Sequence, residues 1–168
     1  MPRVESFAPL ARRNATVLIL GSMPGEASLR AAQYYAHPRN QFWPLLGALF
    51  GFDPAAPYPR RVRALTAARV AVWDVLASCV REGSLDSAIE GDTVVVNDFA
   101  GFFRRHRNVT RVYFNGAAAE VAYRRQVLSR LSAQPLSYRR LPSTSPANAS
   151  QSYRAKLAAW RCVRVDAG

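Results

Sequence analysis

The sequence has few of the residues that hold metals or form cross-links. Its 168 residues include two cysteines and two histidines, and Cys79 and Cys162 stand apart with no Cys-x-x-Cys pair. A structural zinc site or an iron–sulfur cluster needs about four soft ligands. We therefore expect no metal and no cofactor, and thiols that stay reduced in the cytosol.

Long apolar runs are also missing. No stretch approaches the roughly 20 residues that a membrane-spanning helix needs, and residues 1–5 do not precede an apolar core with a cleavage site. These absences predict a cytoplasmic protein, nucleoid-associated if it binds DNA, with no membrane partner. The length suits a single domain over residues 1–168, which we expect to be a monomer.

Negative charge is scarce as well. The chain has 11 acidic and 23 basic residues, a net charge of +12 and a pI of about 11.0. Such an excess favours a polyanionic partner, because neutralising phosphates releases counterions, although it could merely keep the protein soluble. Every basic residue except Lys156 is an arginine, whose fork suits phosphates and base edges; a GC-rich genome would give the same bias.

Hydrophobic patterning predicts strands that alternate with helices. Short apolar segments predict strands at 17–20, 70–73, 109–114 and 136–141, and helical patterns lie at 41–50, 59–68, 98–106, 116–131 and 150–161. Asn40 is expected to cap the first of these helices. Residues 93–96 could be an extra edge strand or an apolar loop. This order predicts an α/β fold with three layers, α/β/α, around a central four-stranded parallel sheet.

The carboxyl ends of these strands predict a binding site, because ligands of open α/β sheets bind there. The segments at those ends are small, polar and turn-forming: 21–25, 74–75, 115–116 and 142–146. Residues 21–25 match neither a phosphate loop nor a dinucleotide-binding fingerprint. Without the other segments, they could be only a tight strand-to-helix turn.

Two longer segments carry further candidates. Residues 34–44, YYAHPRNQFWP, place aromatic rings beside polar residues and an arginine, which suits base stacking and phosphate contacts. Trp43 is nevertheless expected in the core, whereas Asn40 can cap a helix and still present its amide. Residues 141–150, LPSTSPANAS, carry hydroxyls that can bind phosphates; they could also form an ordinary loop before the last helix.

Five motifs in order make the chain resemble the uracil-DNA glycosylase superfamily: GSMPGEASL, YYAHPRNQFW, WDVL, VYFNG and LPSTSPAN. Together they are most similar to its hypoxanthine-DNA glycosylase (DNA-deoxyinosine glycosylase) branch. The HPxNxFW piece is also similar to mismatch-specific uracil/thymine glycosylases. The resemblance implies a uracil-DNA glycosylase-like sheet between helices, extrusion of a deaminated base from DNA, and hydrolysis of its N-glycosidic bond to leave an abasic site.

Two positions depart from the common superfamily pattern. Many members carry Asn or Asp directly after the first glycine, where this chain has Ser22, and many carry a histidine where it has Leu141. Ser22 cannot act as a comparable base. Both departures match the hypoxanthine branch, in which the asparagine of the HPxN segment is held to act instead. The resemblance thus implies that role for Asn40.

The resemblance implies three groups of site residues. The catalytic group is Asn40, Ser22 and His37. The base is expected to contact Gly21, Met23, Pro24, Gly25, Tyr35, Phe42 and Asn115. The DNA strand is expected to contact Ser143, Thr144, Ser145, Pro146 and Asn148, which would wedge into the duplex and pinch its phosphates.

For several of these residues the sequence leaves more than one role open. Tyr35 or Phe42 would stack on the base, while backbone amides near Ser22 and Met23 would bind its carbonyl oxygen. Asn115 would read the base edge or hold Gly116.

Asn40 would orient water or hold the base, with the water attacking late, because an amide is too weak a base to take a proton. His37 would donate to the leaving base or be purely structural. Glu26 is an alternative group for activating water.

The single lysine bears on the type of reaction. Glycosylases that also nick the strand need an amine for a Schiff base, and Lys156 is expected on a solvated face of the last helix. We therefore expect a monofunctional DNA glycosylase. Two other interpretations stay open: a uracil- or mismatch-specific glycosylase with little hypoxanthine activity, and a non-catalytic nucleic-acid-binding module.

Overall fold

The computed structural model describes residues 2–132 and 134–168, in which strands and helices alternate. The strands are β1 (Arg3–Glu5), β2 (Val17–Gly21), β3 (Val70–Asp74), β4 (Leu76–Val80), β5 (Val95–Val96), β6 (Arg111–Asn115) and β7 (Ser137–Leu141). The helices are α1 (Glu26–Ala31), α2 (Phe42–Phe50), α3 (Tyr58–Ala67), α4 (Phe99–Arg105), α5 (Ala117–Gln126) and α6 (Tyr153–Ala167). Short 3-10 turns lie at Asp86–Ala88, Gly91–Thr93 and Leu128–Arg130.

The central sheet has four parallel strands in the order β3-β2-β6-β7. Every residue of β2 and β3 is buried, as is typical of parallel strands covered by helices on both faces. The four strands predicted from the sequence are these four, with boundaries that differ by one or two residues. The predicted α/β fold with a four-stranded parallel sheet is confirmed.

Two hydrophobic clusters pack against opposite faces of this sheet. One contains aromatic residues of α4 and α5, including Phe99, Phe102 and Tyr123. The other contains residues of α2 and α6, including Trp43 and Trp160. Trp43 is 3% exposed, so its predicted place in the core is confirmed.

The helices differ from their predicted bounds where the backbone changes geometry. The segment expected as one helix over 116–131 ends at Gln126 and continues as the 3-10 turn Leu128–Arg130. The last helix begins at Tyr153 rather than near 150, and Ser152 caps it by accepting from the Ala155 amide at 3.1 Å. It then runs to Ala167, beyond the expected end at 161. Helix α1 was not predicted.

A second, antiparallel sheet has the order β1-β4-β5. It resolves the alternatives at 93–96, because Val95 and Val96 pair with β4. Sequence patterning missed β1 and β4, since each is short and is held by partners far away along the chain. The sheet matters for the site because the segment that follows β4 lies beside the carboxyl end of β2.

No helix in the described part of the chain is long and apolar enough to cross a membrane.

Candidate active site

Loops at the carboxyl ends of the central strands enclose a cavity of about 160 Å³. Engineered cavities of about 150 Å³ accept a benzene ring, so one planar ring system can enter, with the remainder of a larger molecule at the mouth. The cavity is lined by Gly21, Ser22, Met23, Pro24, Gly25, Ala27, Tyr34, Tyr35, His37, Asn40, Asp74, Ser84, Asp86, Asn115, Ser143, Thr144, Ser145 and Pro146. All the predicted site residues except Phe42 and Asn148 are in this lining.

The floor of the cavity depends on a glycine. A Cβ added at Gly21 would lie 2.6 Å from Asp74 Oδ1 and 3.0 Å from the Tyr35 hydroxyl. The absence of a side chain at the end of β2 therefore lets the carboxyl group and the phenol approach the same backbone. Here glycine serves close approach, one of the general uses of this residue.

The next residue is tied to an acidic side chain that the sequence analysis did not identify. The Ser22 hydroxyl donates to Asp86 Oδ1 at 2.5 Å. Asp86 belongs to the segment after β4 and lines the cavity. The position that carries Asn or Asp in many superfamily members thus holds a serine bonded to a carboxylate from elsewhere in the chain.

Asn40 was expected to be the N-cap of α2, but it lies one residue before that position. Gln41 is the N-cap of α2, and Asn40 Oδ1 accepts a hydrogen bond from the Phe42 amide at 2.9 Å. The carboxamide oxygen is therefore used in the turn into α2. The Nδ2 group is the part of this side chain that can bind a molecule in the cavity.

His37 is half-buried in the same wall of the cavity. Its Nδ1 accepts from the Arg39 amide at 3.0 Å, which assigns the proton of the neutral ring to Nε2. The ring can therefore donate one hydrogen bond through Nε2.

Of the two rings proposed to stack on a base, only Tyr35 lines the cavity. Phe42 is fully buried and lies behind it, with ring centroids 4.0 Å apart and an interplanar angle of 20°. The prediction that Phe42 contacts the base is wrong, because Tyr35 covers it. Tyr35 itself has a φ of +54°, an uncommon conformation for a residue other than glycine.

Asn115 holds residues 142–150, the late loop that follows β7, and this role was not predicted for it. Its Oδ1 accepts from the Thr144 amide at 2.9 Å, and its Nδ2 donates to Thr144 Oγ1 at 3.0 Å. The Thr144 carbonyl in turn accepts from the Gln41 amide at 3.0 Å. Thr144 is 1% exposed, so its side chain is turned inward and does not face a DNA strand as expected.

Asn148 lies outside the cavity, and its contact with the DNA strand stays a prediction. Its Nδ2 donates to the Ser143 carbonyl at 3.2 Å, and its own carbonyl accepts from Lys156 Nζ at 2.8 Å. Lys156 is 2% exposed. The solvated position predicted for this lysine is wrong, because the amine reaches back to the loop. Burial lowers the pKa of Lys156.

Glu26 is exposed at the start of α1, where its amide donates to Ser84 Oγ at 2.8 Å. It is not part of the cavity lining. The alternative in which Glu26 activates water is therefore not supported by its position.

Asp74 is the acidic residue that sequence reasoning left without a role. It is 3% exposed at the carboxyl end of β3. Burial and then the nearby Asp86 raise the pKa of Asp74 to about 7 from an ordinary 3.8, with Arg81 opposing the shift. An aspartate in the turn after a buried strand, in WDVL, was the available signal. No group of three or more His, Cys, Asp or Glu side chains within residues 2–132 and 134–168 could hold a metal.

Known proteins are similar to this chain in sequence and in fold. The chain is 39% identical to the hypoxanthine DNA glycosylase of Methanosarcina barkeri over 113 residues, covering 67% of this chain and 70% of the relative. It is 37% identical to the hypoxanthine DNA glycosylase of Methanosarcina acetivorans over 116 residues, covering 68% and 72%.

The solution NMR structure of a provisionally assigned uracil DNA glycosylase from Methanosarcina acetivorans superimposes with a TM-score of 0.81, at 31% identity over 97% of both chains. The family model of the uracil DNA glycosylase superfamily matches residues 8–164. The resemblance stated from the motifs is confirmed, and the chain belongs to the uracil DNA glycosylase superfamily.

Proposed function

We propose that this protein removes hypoxanthine from DNA by hydrolysing the N-glycosidic bond of an extruded deoxyinosine. The main observation behind this proposal is that three separate loops meet in one cavity. They contribute Gly21, Asn40 and Ser143 to its lining. A base inside a duplex is out of reach of such a cavity, so the nucleotide must swing out to enter it. The two relatives named as hypoxanthine DNA glycosylases support this choice of base.

Within the cavity, Tyr35 supplies the stacking surface for the base. Its ring is backed by buried Phe42 at 4.0 Å, so a base stacked on it rests on a rigid aromatic pair. The buried backbone around Met23 and Pro24 faces the rest of the base, and its amides suit the carbonyl oxygen that distinguishes hypoxanthine from adenine.

Asn40 and His37 line the cavity, and we assign the breaking of the glycosidic bond to them. Cleavage develops positive charge on the sugar and negative charge on the departing base, and preorganised donors aimed at that charge contribute several kcal/mol. Asn40 Nδ2 and His37 Nε2 are such donors. Because an amide does not remove a proton, the bond breaks before water attacks, with Asn40 positioning the water or the base.

The DNA strand itself would pass over the late loop. Ser143, Ser145 and Pro146 line the cavity, and Asn115 holds the loop through its hydrogen bonds to Thr144. Arg39 is exposed, and its amide bonds to His37 in the cavity wall. This arrangement favours phosphate contacts made by the loop backbone and by arginine on either side of the extruded nucleotide.

The reaction would end at an abasic site in an intact strand. Lys156, the chain's only lysine, is buried against the Asn148 carbonyl and does not line the cavity. No Schiff base can form there from a lysine, so we propose a monofunctional glycosylase.

The test is incubation of the protein with duplexes that contain one inosine, uracil or xanthine, followed by alkali to reveal abasic sites. We expect cleavage of the inosine duplex after alkali only. Asn40→Ala should be at least about tenfold slower, about 1.4 kcal/mol of barrier. The matched control is Asn108→Ala, an exposed amide outside the cavity, which should retain the wild-type rate.

The same panel separates the alternatives. A preference for uracil over inosine would favour a uracil glycosylase, the assignment carried by the solved neighbour. Binding of all duplexes without cleavage would favour a non-catalytic module and would overturn the proposal. An unchanged rate for Asn40→Ala would remove Asn40 from the mechanism.

A further inference from the structure

We propose that Asp74 is a further catalytic residue, which acts as a general acid and donates a proton to a ring nitrogen of the departing purine. This inference rests on the proposed function, since it concerns the same cavity and a purine substrate. It adds a group that the motif resemblance did not assign.

Asp74 belongs to the wall of the cavity that would hold the base. It lies at the carboxyl end of β3 and lines the cavity together with Asn40 and Tyr35. Only the missing side chain of Gly21 leaves room for its Oδ1, which lies 2.6 Å from where a Cβ would stand. Its Oδ2 is buried and has no hydrogen-bond partner among the described residues. A buried carboxyl oxygen without a partner is costly unless a ligand or proton satisfies it.

The surroundings of Asp74 favour its protonated form. The ionisable groups around it are Tyr34, Tyr35, Arg81 and Asp86, with His37 in the lining of the same cavity. Burial and the charge of Asp86 raise the pKa of Asp74 to about 7, while the Arg81 guanidinium lowers it less. Near neutral pH a large fraction of the protein therefore carries a carboxylic acid at this point, as a general acid requires.

The chemistry balances without any other reactant than water. The bond between C1′ and N9 breaks and its electron pair passes to the purine, while the Asp74 proton moves to N7 or N3 of that ring. The base thus leaves as neutral hypoxanthine. Water then adds to C1′, and its proton returns to the Asp74 carboxylate, which restores the acid. Uracil has no corresponding unprotonated ring nitrogen, so this route is specific to purines.

The first measurement is the single-turnover rate on the inosine duplex between pH 5.5 and 9. We expect the wild-type rate to fall about tenfold per pH unit above an apparent pKa near 7, because the acid form is lost. Asp74→Asn should be about 100-fold slower or more at pH 6.5, and its rate should lack this alkaline limb. A wild-type rate that stays constant from pH 6 to 9 would overturn the proposal even if the variant does not fold.

The second measurement identifies the nitrogen. Duplexes with 7-deazainosine or 3-deazainosine remove one acceptor each, and the analogue that lacks the acceptor of the Asp74 proton should be cut as slowly by wild type as by Asp74→Asn. If Asp74→Asn slows both analogues as much as it slows inosine, Asp74 does not protonate the ring and the proposal is wrong.

Controls separate this inference from the proposed function. Asp92→Asn removes an exposed carboxylate outside the cavity and should leave rate and pH profile unchanged. Circular dichroism and affinity for an abasic-site duplex show whether Asp74→Asn is folded. If wild type cuts no inosine duplex, the proposed function itself fails. If wild type cuts and Asp74→Asn matches it at every pH, only the role of Asp74 fails.

Discussion

At the residue scale, the buried carboxyl group of Asp74 beside the cavity lowers the stability of the folded protein when it is ionised. Asp74 Oδ2 has no partner in the described part of the chain, and the neighbouring Asp86 adds repulsion when both groups are ionised. Unpaired buried polar groups lower stability and cluster where proteins bind ligands. The same side chain therefore links the stability of the protein to pH.

The stability prediction follows from the raised pKa. Because the pKa of Asp74 is about 7 in the folded protein and 3.8 ordinarily, the folded state holds a proton that the unfolded chain releases between about pH 4 and 7. The stability that this proton supplies is present below about pH 4 and is lost as the pH rises through 7. Asp74→Asn should therefore raise the free energy of unfolding at pH 8 by roughly 1–4 kcal/mol, and by little at pH 4.

Urea unfolding of both proteins at pH 4.5, 6 and 8 measures this difference, with Asp92→Asn as the exposed comparison. A gain that is equal at all three values would show that Asp74 titrates normally in the folded protein.

At the scale of elements, the late loop is a tethered structure rather than a free connection. β6 holds it through Asn115, the start of α2 holds it through the Gln41 amide, and α6 holds it through Lys156. These tethers place the mouth of the cavity on rigid elements, which is what preorganised sites require. The loop geometry therefore depends on Asn115, which lines the cavity, and on Gln41 and Lys156, which do not. The contribution of Lys156 is the least expected of the three.

Replacing Lys156 by methionine tests this tether. The substitution keeps an unbranched apolar stem but leaves the Asn148 carbonyl without its donor, so the free energy of unfolding should fall by about 1–3 kcal/mol. Arg154→Met, which removes a cation from an exposed position of the same helix, should change it by about 0.5 kcal/mol or less. Thermal or urea unfolding measures both. Equal stability of Lys156→Met and wild type would show that the tether is energetically unimportant.

At the scale of the whole molecule, positive charge dominates. The net charge is +12, and among the described residues the only ion pairs join Glu120 to Arg124 and Arg140. Most arginines are thus not neutralised by carboxylates within the part of the chain that the structure describes. One arginine, Arg39, is bonded through its amide to His37 of the cavity wall. Others line a separate surface recess: Arg13, Arg104, Arg105 and Arg107.

This charge predicts strongly salt-dependent DNA binding. If six to ten phosphates are contacted, affinity for a duplex should fall about 10³- to 10⁵-fold between 50 and 200 mM salt, because bound counterions are released. Fluorescence anisotropy with inosine-containing and unmodified duplexes measures the slope. Affinity that is insensitive to salt for both duplexes would contradict a binding mode based on phosphate contacts.

Much of the site could be predicted from local sequence. Buried strands end at turn residues, and parallel strands bring those ends to one edge, so Gly21, Asn115 and the late loop were expected together and are found in one cavity. Local sequence could not predict whether a neighbouring side chain faces the cavity, the core or the solvent. Phe42 and Tyr35 lie within one motif, yet only packing decides that Tyr35 covers Phe42. Lys156 has a polar helical position, yet its amine turns inward.

Local pattern was thus sufficient for the four strands of the central sheet, for the helices other than α1, and for the small residues at the strand ends. The reason is that periodicity and turn chemistry act over a few neighbours. Long-range packing alone brought Asp86 to Ser22, hid Asp74 beside Gly21, and formed the second sheet from β1, β4 and β5. Except for the pairing of β4 with β5, these contacts join residues more than 50 positions apart. Their energies depend on burial that exists only once the chain has folded.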